Sequence, residues 1–331
     1  MNTVTRVARH AAIVWLSSTM IVPITENPWD LSPPAPAGGG KTAQLDRLDE
    51  ISCSECHEEV VREWASTSHA LAWVDELYQE QLEGRRKPAA CHGCHIPQPL
   101  HGDTFGQRPR PRTEALHFGV SCETCHLDTD GTLLGPHGAE NGSHPSRASE
   151  TLIGAGSNAL CAACHGTNIG PVVGLAKDFE RSSVAAEGGS CVGCHMAPRP
   201  APTATEPERT VRSHALQTGR DPSFMRRAFE VSVRTTATRT VVVLENRAGH
   251  RVPGLLGRDL EFTAEVLGPG GEILGTGELL VNTRAYLPVD EALELPLEAR
   301  GRSVRLRGVH QDPLSKLALP FLDEELETPP D

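Results

Sequence analysis

The chain has 331 residues, of which 38 % are hydrophobic and only 4 % aromatic, and it carries a formal net charge of −12. That length holds one large or two modest domains, and the acidic balance argues against nucleic acid as a partner. So few aromatic side chains leave the polypeptide little flat apolar surface of its own.

Residues 1–24 read as an export signal, with Arg6 and Arg9 ahead of an apolar run from Ala11 to Ile24. The run is shorter than the roughly 20 residues a membrane-spanning helix takes. A Pro/Gly-rich linker from Ser32 to Gly40 follows and includes Ala35-Pro-Ala37, a small-residue cleavage site. Residues 1–40 are therefore a signal peptide plus linker or, if uncleaved, an N-terminal membrane anchor. No other segment resembles a span.

From Leu45 to Leu82 the pattern predicts helix, with Val60, Val61, Trp64, Ser68 and Leu71 on one side. At its head stands Cys53-Ser-Glu-Cys56-His57, and the phrase returns four times, as Cys91–His95, Cys122–His126, Cys161–His165 and Cys191–His195. Cys-x-x-Cys-His is the attachment signature of a c-type haem. The two thiols bond the macrocycle, and the adjacent histidine ligates the iron. Zinc sites use Cys-x-x-Cys pairs two at a time and need no histidine after each. Here the pairs are five, an odd number, and Cys53, Cys56, Cys91, Cys94, Cys122, Cys125, Cys161, Cys164, Cys191 and Cys194 are all the cysteines there are. The expectation is five haems c, with His57, His95, His126, His165 and His195 as proximal ligands. So short a stretch cannot wrap each haem in its own core, so the haems themselves serve as the core of a mostly helical and irregular domain over 41–215.

His69 lies 12 residues beyond His57, about 18 Å along a continuous helix, so it cannot clasp the same iron. It is either an ordinary surface histidine or reaches across to another haem. Two basic clusters flank the second motif, Arg85-Arg86-Lys87 and Arg108, Arg110, Arg112. They read as solvated or propionate-paired surface, or as a funnel for an anionic substrate. His92 sits between the two cysteines of its motif, while His101 and His117 are looser ligand candidates. The third motif is followed by His137 and His144 in a Gly-rich loop, and residues 198–208 read as a linker.

Beyond it the signal is β. Phe229, Val231 and Val233 alternate with polar residues, Thr240–Leu244 is a buried-strand run, and Phe262, Ala264 and Val266 alternate again. Gly268-Pro-Gly-Gly271 marks a hairpin, and another strand is expected near Val304–Leu306. Six or seven such strands over 228–310 predict a small all-β, immunoglobulin-like sandwich. Residues 311–331 read as an acidic tail, disordered from Asp323 onward.

The run Cys53–His57, Trp64, Ser68-His69-Ala70, Cys91–His95, Gly119–His126, His137, His144 and Cys161–His165 resembles the tetrahaem cytochromes of nitrifying bacteria, which accept electrons from hydroxylamine oxidoreductase. The likeness covers about residues 51–165. It implies that His69 ligates the third haem from its far side, that the His137/His144 loop serves the fourth, and that the second haem lacks a sixth ligand, although His101 and His117 here offer one. The fifth motif with Met196, Arg212-x-His214 and Asn246-x-x-Gly-His250-x-x-Pro253 resembles a broader group of exported multihaem cytochromes that carry a β-sandwich. His250 is read either as a surface-loop histidine or, as the likeness favours, as reaching across to a terminal haem, with His214 serving another.

Two function classes follow. In the first, an electron-transfer protein, exported to the periplasm or beyond the cell, relays electrons between a protein donor and a protein acceptor through mainly bis-histidine haems. Nine histidines remain for five distal positions once the motifs and His10 are set aside. In the second, a reductase or oxidase acts on a small nitrogen or sulfur oxyanion at one five-coordinate haem. Against the enzyme, no motif histidine is replaced by lysine, unlike in pentahaem nitrite reductases, and Tyr78 and Tyr286 are the only tyrosines. A third arrangement is a homo-oligomer or filament in which one subunit completes a haem of the next.

Overall fold

The computed structural model describes residues 52–329 apart from 103–104, 140–143, 145, 169–173, 202–208, 255–257 and 314. The export signal, the linker after it and the first residues of the Leu45–Leu82 helix lie outside the described residues. All described residues fall in one compact unit. Among them no helix is long and apolar enough to cross a membrane.

The segment that holds the five motifs is built of short helices. They are α1 (Ser54–Ala65), α2 (Glu76–Leu82), α3 (Ala89–His95), α4 (Cys122–His126), α5 (Ser157–His165), α6 (Leu175–Phe179), α7 (Ser183–Ala186) and α8 (Cys191–His195). Four of them end on a motif histidine, while α1 begins with its motif and kinks at His57. One helical turn separates the two cysteines of each motif and brings them to one face. A small parallel pair, β1 (Leu133–Gly135) and β2 (Ser146–Ala148), follows the third motif.

The helix predicted from Leu45 to Leu82 is broken between Ala65 and Glu76. The cause is local. Ser66 Oγ donates to the Glu63 carbonyl at 2.8 Å, Thr67 Oγ1 donates to the Trp64 carbonyl at 2.7 Å, and the Ala70 amide donates to Thr67 Oγ1. Hydroxyl side chains that bond nearby backbone groups compete with the helix ladder and end it. The freed turn docks on the approach to the third motif. Trp64 Nε1 donates to the Val120 carbonyl at 2.8 Å, and the Val120 amide to the His69 carbonyl at 2.8 Å. Gly119, at φ 55°, permits that approach, since a Cβ there would meet the His69 carbonyl at 2.3 Å.

The stretch 198–208, expected as a linker, is in part a hairpin arm. Strand β3 (Pro198–Ala201) pairs antiparallel with β4 (Arg209–Arg212). Its two prolines alternate along the strand, so both can occupy positions whose missing amides the ladder does not require.

The C-terminal region is all β after one short helix, α9 (Pro222–Arg226), started by Asp221 as its N-cap. Strands β5 (Phe229–Thr235), β6 (Thr240–Asn246) and β9 (Ala292–Leu297) form one antiparallel sheet in the order β5-β6-β9. The other sheet holds β7 (Asp259–Leu267), β8 (Ile273–Val281), β10 (Ser303–Gln311) and β11 (Ala318–Glu327), in the order β11-β10-β7-β8. Both sheets feed one core, with Leu244 and Leu297 from the first and Phe262, Val304 and Leu306 from the second almost wholly buried.

The expected boundary at 310 and the disordered acidic tail are corrected by β11, which runs through Asp323 to Glu327. Phe321 and Leu322 fill the core there, and Arg305 and Arg307 of β10 face Glu325 and Asp323 across the ladder. Acidic residues alternating out of a strand opposite arginines are compatible with folding.

Candidate haem sites and their histidine pairs

Four of the five motif histidines face a second imidazole that belongs to no motif. The ring centroids are 6.2 Å apart for His57 and His144, 6.2 Å for His165 and His69, 6.1 Å for His126 and His214, and 6.3 Å for His195 and His250. A metal–imidazole bond of about 2.0–2.1 Å, with the centroid about 1.2 Å behind its nitrogen, puts two rings on opposite sides of one metal at about 6.3 Å. The observed spacing fits that arrangement. Among the described residues no three His, Cys, Asp or Glu side chains converge as a metal's donor set. Two axial donors are what a metal already held by a macrocycle requires.

The ring orientations agree. His126 Nδ1 lies 2.9 Å from the Leu134 carbonyl, His195 Nδ1 2.7 Å from that of Gln217, and His95 Nδ1 2.6 Å from that of Ala72. On the opposed side, His214 Nδ1 reaches the Arg212 carbonyl and His250 Nδ1 the Arg251 carbonyl. Donation through Nδ1 fixes the tautomer and leaves the Nε2 lone pair for a metal. Burial also favours the neutral ring. It lowers the His126, His165, His214 and His250 pKa values, and brings that of His69 to about 4 with help from His165 and His195. A ligating imidazole must be neutral.

All ten cysteines are free of disulfides. Thiols of different motifs lie within interaction reach of one another, Cys53 with Cys122, Cys94 with Cys164, and Cys161 with Cys191. Cys125 also lies within electrostatic reach of Cys161 and Cys164. The first site therefore abuts the third, and the fourth abuts the second, third and fifth.

The pairing departs from what the tetrahaem likeness implied. His69 stands opposite His165 of the fourth motif and not His126 of the third, because the broken helix turns it inward. His144 stands opposite His57 of the first motif, whereas the likeness gave its loop to the fourth. His137 is exposed on that loop. His117 packs against Phe118 at 4.0 Å. His101 is spent on structure, its Nε2 2.7 Å from the Cys125 carbonyl and its Nδ1 near Thr151 Oγ1.

The second motif is different. Among the described residues no imidazole faces His95; Tyr78 stacks on it instead, centroids 3.6 Å apart and planes 8° from parallel. The Tyr78 hydroxyl is buried without a hydrogen-bond partner, and burial pushes its pKa up, Cys91 and Cys94 adding to the effect. Nothing in the sequence pointed to Tyr78, since stacking across a loop leaves no periodic trace. The arginines nearby are largely engaged. Arg108 donates to the Ala90 carbonyl, and Arg112 donates to those of Glu114, Pro97 and Ala115.

Two devices place His214 and His250, the two opposed imidazoles that come after the fifth motif. Arg199 of β3 forms ion pairs with Glu63 at 2.7 Å and Glu59 at 3.2 Å on α1, and the His214 amide donates to Glu63 at 2.8 Å. In the sheet region, buried Asn246 donates to the carbonyls of His250, Leu287 and Pro288, pinning the loop that presents His250. That loop meets α6 and α7. Arg251 pairs with buried Asp178 through Nε and through a 3.0 Å Nη2 bond, Asp290 accepts from the Ser183 amide and hydroxyl, and Gly249, at φ 73°, lies against the Phe179 ring.

The fold and the arrangement of the five motifs resemble those of multihaem c-type cytochromes. Residues 52–127 match the family described as Cytochrome c554 and c-prime. The chain is also similar in fold to a penta-heme cytochrome c552 from Thermochromatium tepidum, with a TM-score of 0.56 and 17 % identity, over 85 % of this chain and 98 % of that one. No curated protein matches the chain in sequence.

Proposed function

We propose that the chain is an exported pentahaem c-type cytochrome that relays electrons between redox partners, its C-terminal sheets an immunoglobulin-like sandwich that carries one of the iron ligands. The observation that carries this reading is the set of four imidazole pairs at 6.1–6.3 Å. The ten motif cysteines attach five haems, and each haem, once bound, supplies a one-electron iron couple. His57, His95, His126, His165 and His195 are the proximal ligands. His144, His214, His69 and His250 fill the distal positions of the first, third, fourth and fifth sites, which leaves no room there for a substrate.

The thiol contacts support a branched relay with the fourth site at the junction. Its outer end is the first site, where Cys53, Cys56, His57 and His144 are exposed beside Glu55, Glu58 and Glu123. An acidic surface at an exposed end suits a basic or neutral redox protein, met at a salt-dependent rate. Mass spectrometry of the mature protein should find five haem masses added, roughly 3 kDa in all. His69→Ala should turn one low-spin haem high-spin while all five stay attached. Fewer than five haems, or an unchanged spin state in the variant, would sink the reading.

A second reading rests on His95, the one motif histidine that no imidazole faces among the described residues. The second haem is then five-coordinate and open to a small ligand, and the protein is a reductase or oxidase of a small oxyanion. A high-spin ferric signal in the untreated protein, together with carbon monoxide binding to one reduced haem in five, would favour it.

A further inference from the structure

Between the fifth motif and the sheets lies a charged cluster that the ligand pairs do not use. Arg220 belongs to the turn whose Gln217 carbonyl accepts from His195 Nδ1. Arg258 immediately precedes β7, shortly after the loop that carries His250. The two guanidiniums are within electrostatic reach of each other and of Asp312, and Arg258 is deep enough for burial to lower its pKa. Asp312 is already engaged, accepting from Arg220 Nε at 3.2 Å and from the amide and hydroxyl of Ser315. Among the described residues Arg258 makes no hydrogen bond or ion pair. Behind it His310, on β10, is 0 % exposed. Neither of its ring nitrogens has a hydrogen-bond partner of good geometry, the ring resting against the Gly219 backbone.

Two permanently charged guanidiniums beside one carboxylate leave one positive charge of this partly buried cluster uncompensated, which suits an anion. Guanidinium groups pair preferentially with carboxylates, through two parallel hydrogen bonds. The two arginines are attached to the two chain segments that hold the imidazoles facing each other as His195 and His250. A haem held there brings carboxylates of its own, on the edge away from its thioether bonds.

We propose that Arg220 and Arg258, backed by His310 as a buried donor, form a carboxylate site whose ligand is a propionate of the haem at Cys191 and Cys194, an inference that rests on the pentahaem reading.

The test is a spectroscopic redox titration of the whole holoprotein. The fifth haem is identified as the low-spin component that His250→Ala removes. Arg258→Gln takes away a cation that favours the added electron. It should shift that component's oxidised-to-reduced ratio about tenfold toward oxidised at fixed potential, leaving the other four unmoved. Arg220→Gln should shift the same component in the same direction, and Arg258→Lys, which keeps the charge, should shift it less. Arg239→Gln, on a distant hairpin, is the control. If Arg258→Gln fails to mature, Arg220→Gln and Arg258→Lys carry the same reading. Unchanged potentials in the arginine variants that mature would overturn the proposal. So would a wild-type fifth haem whose potential follows added acetate or phosphate, since the site would then hold a free anion. A protein without five attached haems would overturn the pentahaem reading instead, and the haem mass tells the two failures apart.

Discussion

The sheets of residues 229–327 and the α9 turn before them close over seventeen buried apolar side chains, whereas the stretch from α1 to α8 gathers a cluster of only four, Val61, Trp64, Ala65 and Ala70. The two regions solve the problem of a core differently. In the sheets, leucine, valine and phenylalanine side chains, many at alternate strand positions, supply the apolar area. In the motif segment, short helices surround little of their own polypeptide, and thiols and imidazoles converge where side chains would otherwise pack. On the pentahaem reading, one region would fold on its own apolar core and the other would need its prosthetic groups to complete one.

Withholding haem is the strongest way to break that contrast. Produced without haem attachment, the chain should lose amide-exchange protection throughout 54–195 and keep it in the strands of 229–327. Equal protection in both regions would refute the idea of a prosthetic core. Next in size is Leu306→Ala, a fully buried site in the second sheet. It should cost roughly 2–5 kcal/mol by the cavity it leaves, seen by calorimetry as a lower transition for the sheets, with all haems still attached.

The seam between the regions should respond to acid. Burial alone would raise the Asp178 pKa, but the hydrogen bonds and charge of Arg251 bring it below the ordinary carboxylate value. A depressed folded pKa contributes stability that is present above the unfolded value of about 3.9 and lost as pH falls through the folded one. Acidification into that range should loosen the sheets from α6, read as faster proteolysis at the Arg247–Pro253 loop. Asp178→Asn should remove the pH dependence and cost roughly 2 kcal/mol, since it leaves a half-buried Arg251 without its partner. An unchanged acid profile in the variant would assign the effect to another group.

Much of this was legible because it is local. The five motifs are contiguous phrases, and the alternations at Phe229–Val233 and Phe262–Val266, like the run at Thr240–Leu244, fall in strands β5, β7 and β6. What stayed hidden is tertiary or depends on side-chain competition. The break after Ala65 comes from hydroxyls bonding backward. The tail reads as disordered by charge until Arg305 and Arg307 are seen opposite it. Which histidine faces which cannot be read from spacing, and the family likeness misplaced His69 for that reason.

The four ring pairs also have an order along the chain. His57 reaches forward to His144, His69 to His165, His126 to His214 and His195 to His250, so each span begins before an earlier one has ended. With iron closing them, the spans interlock like links of chain mail. Peeling the polypeptide from its C-terminal end must break the His250 link first, then the His214 link, and no motif is released by one event. On the proposed ligation, such a weave would make unravelling a matter of several bonds in sequence, so that one opened site would not by itself expose the chain to proteases.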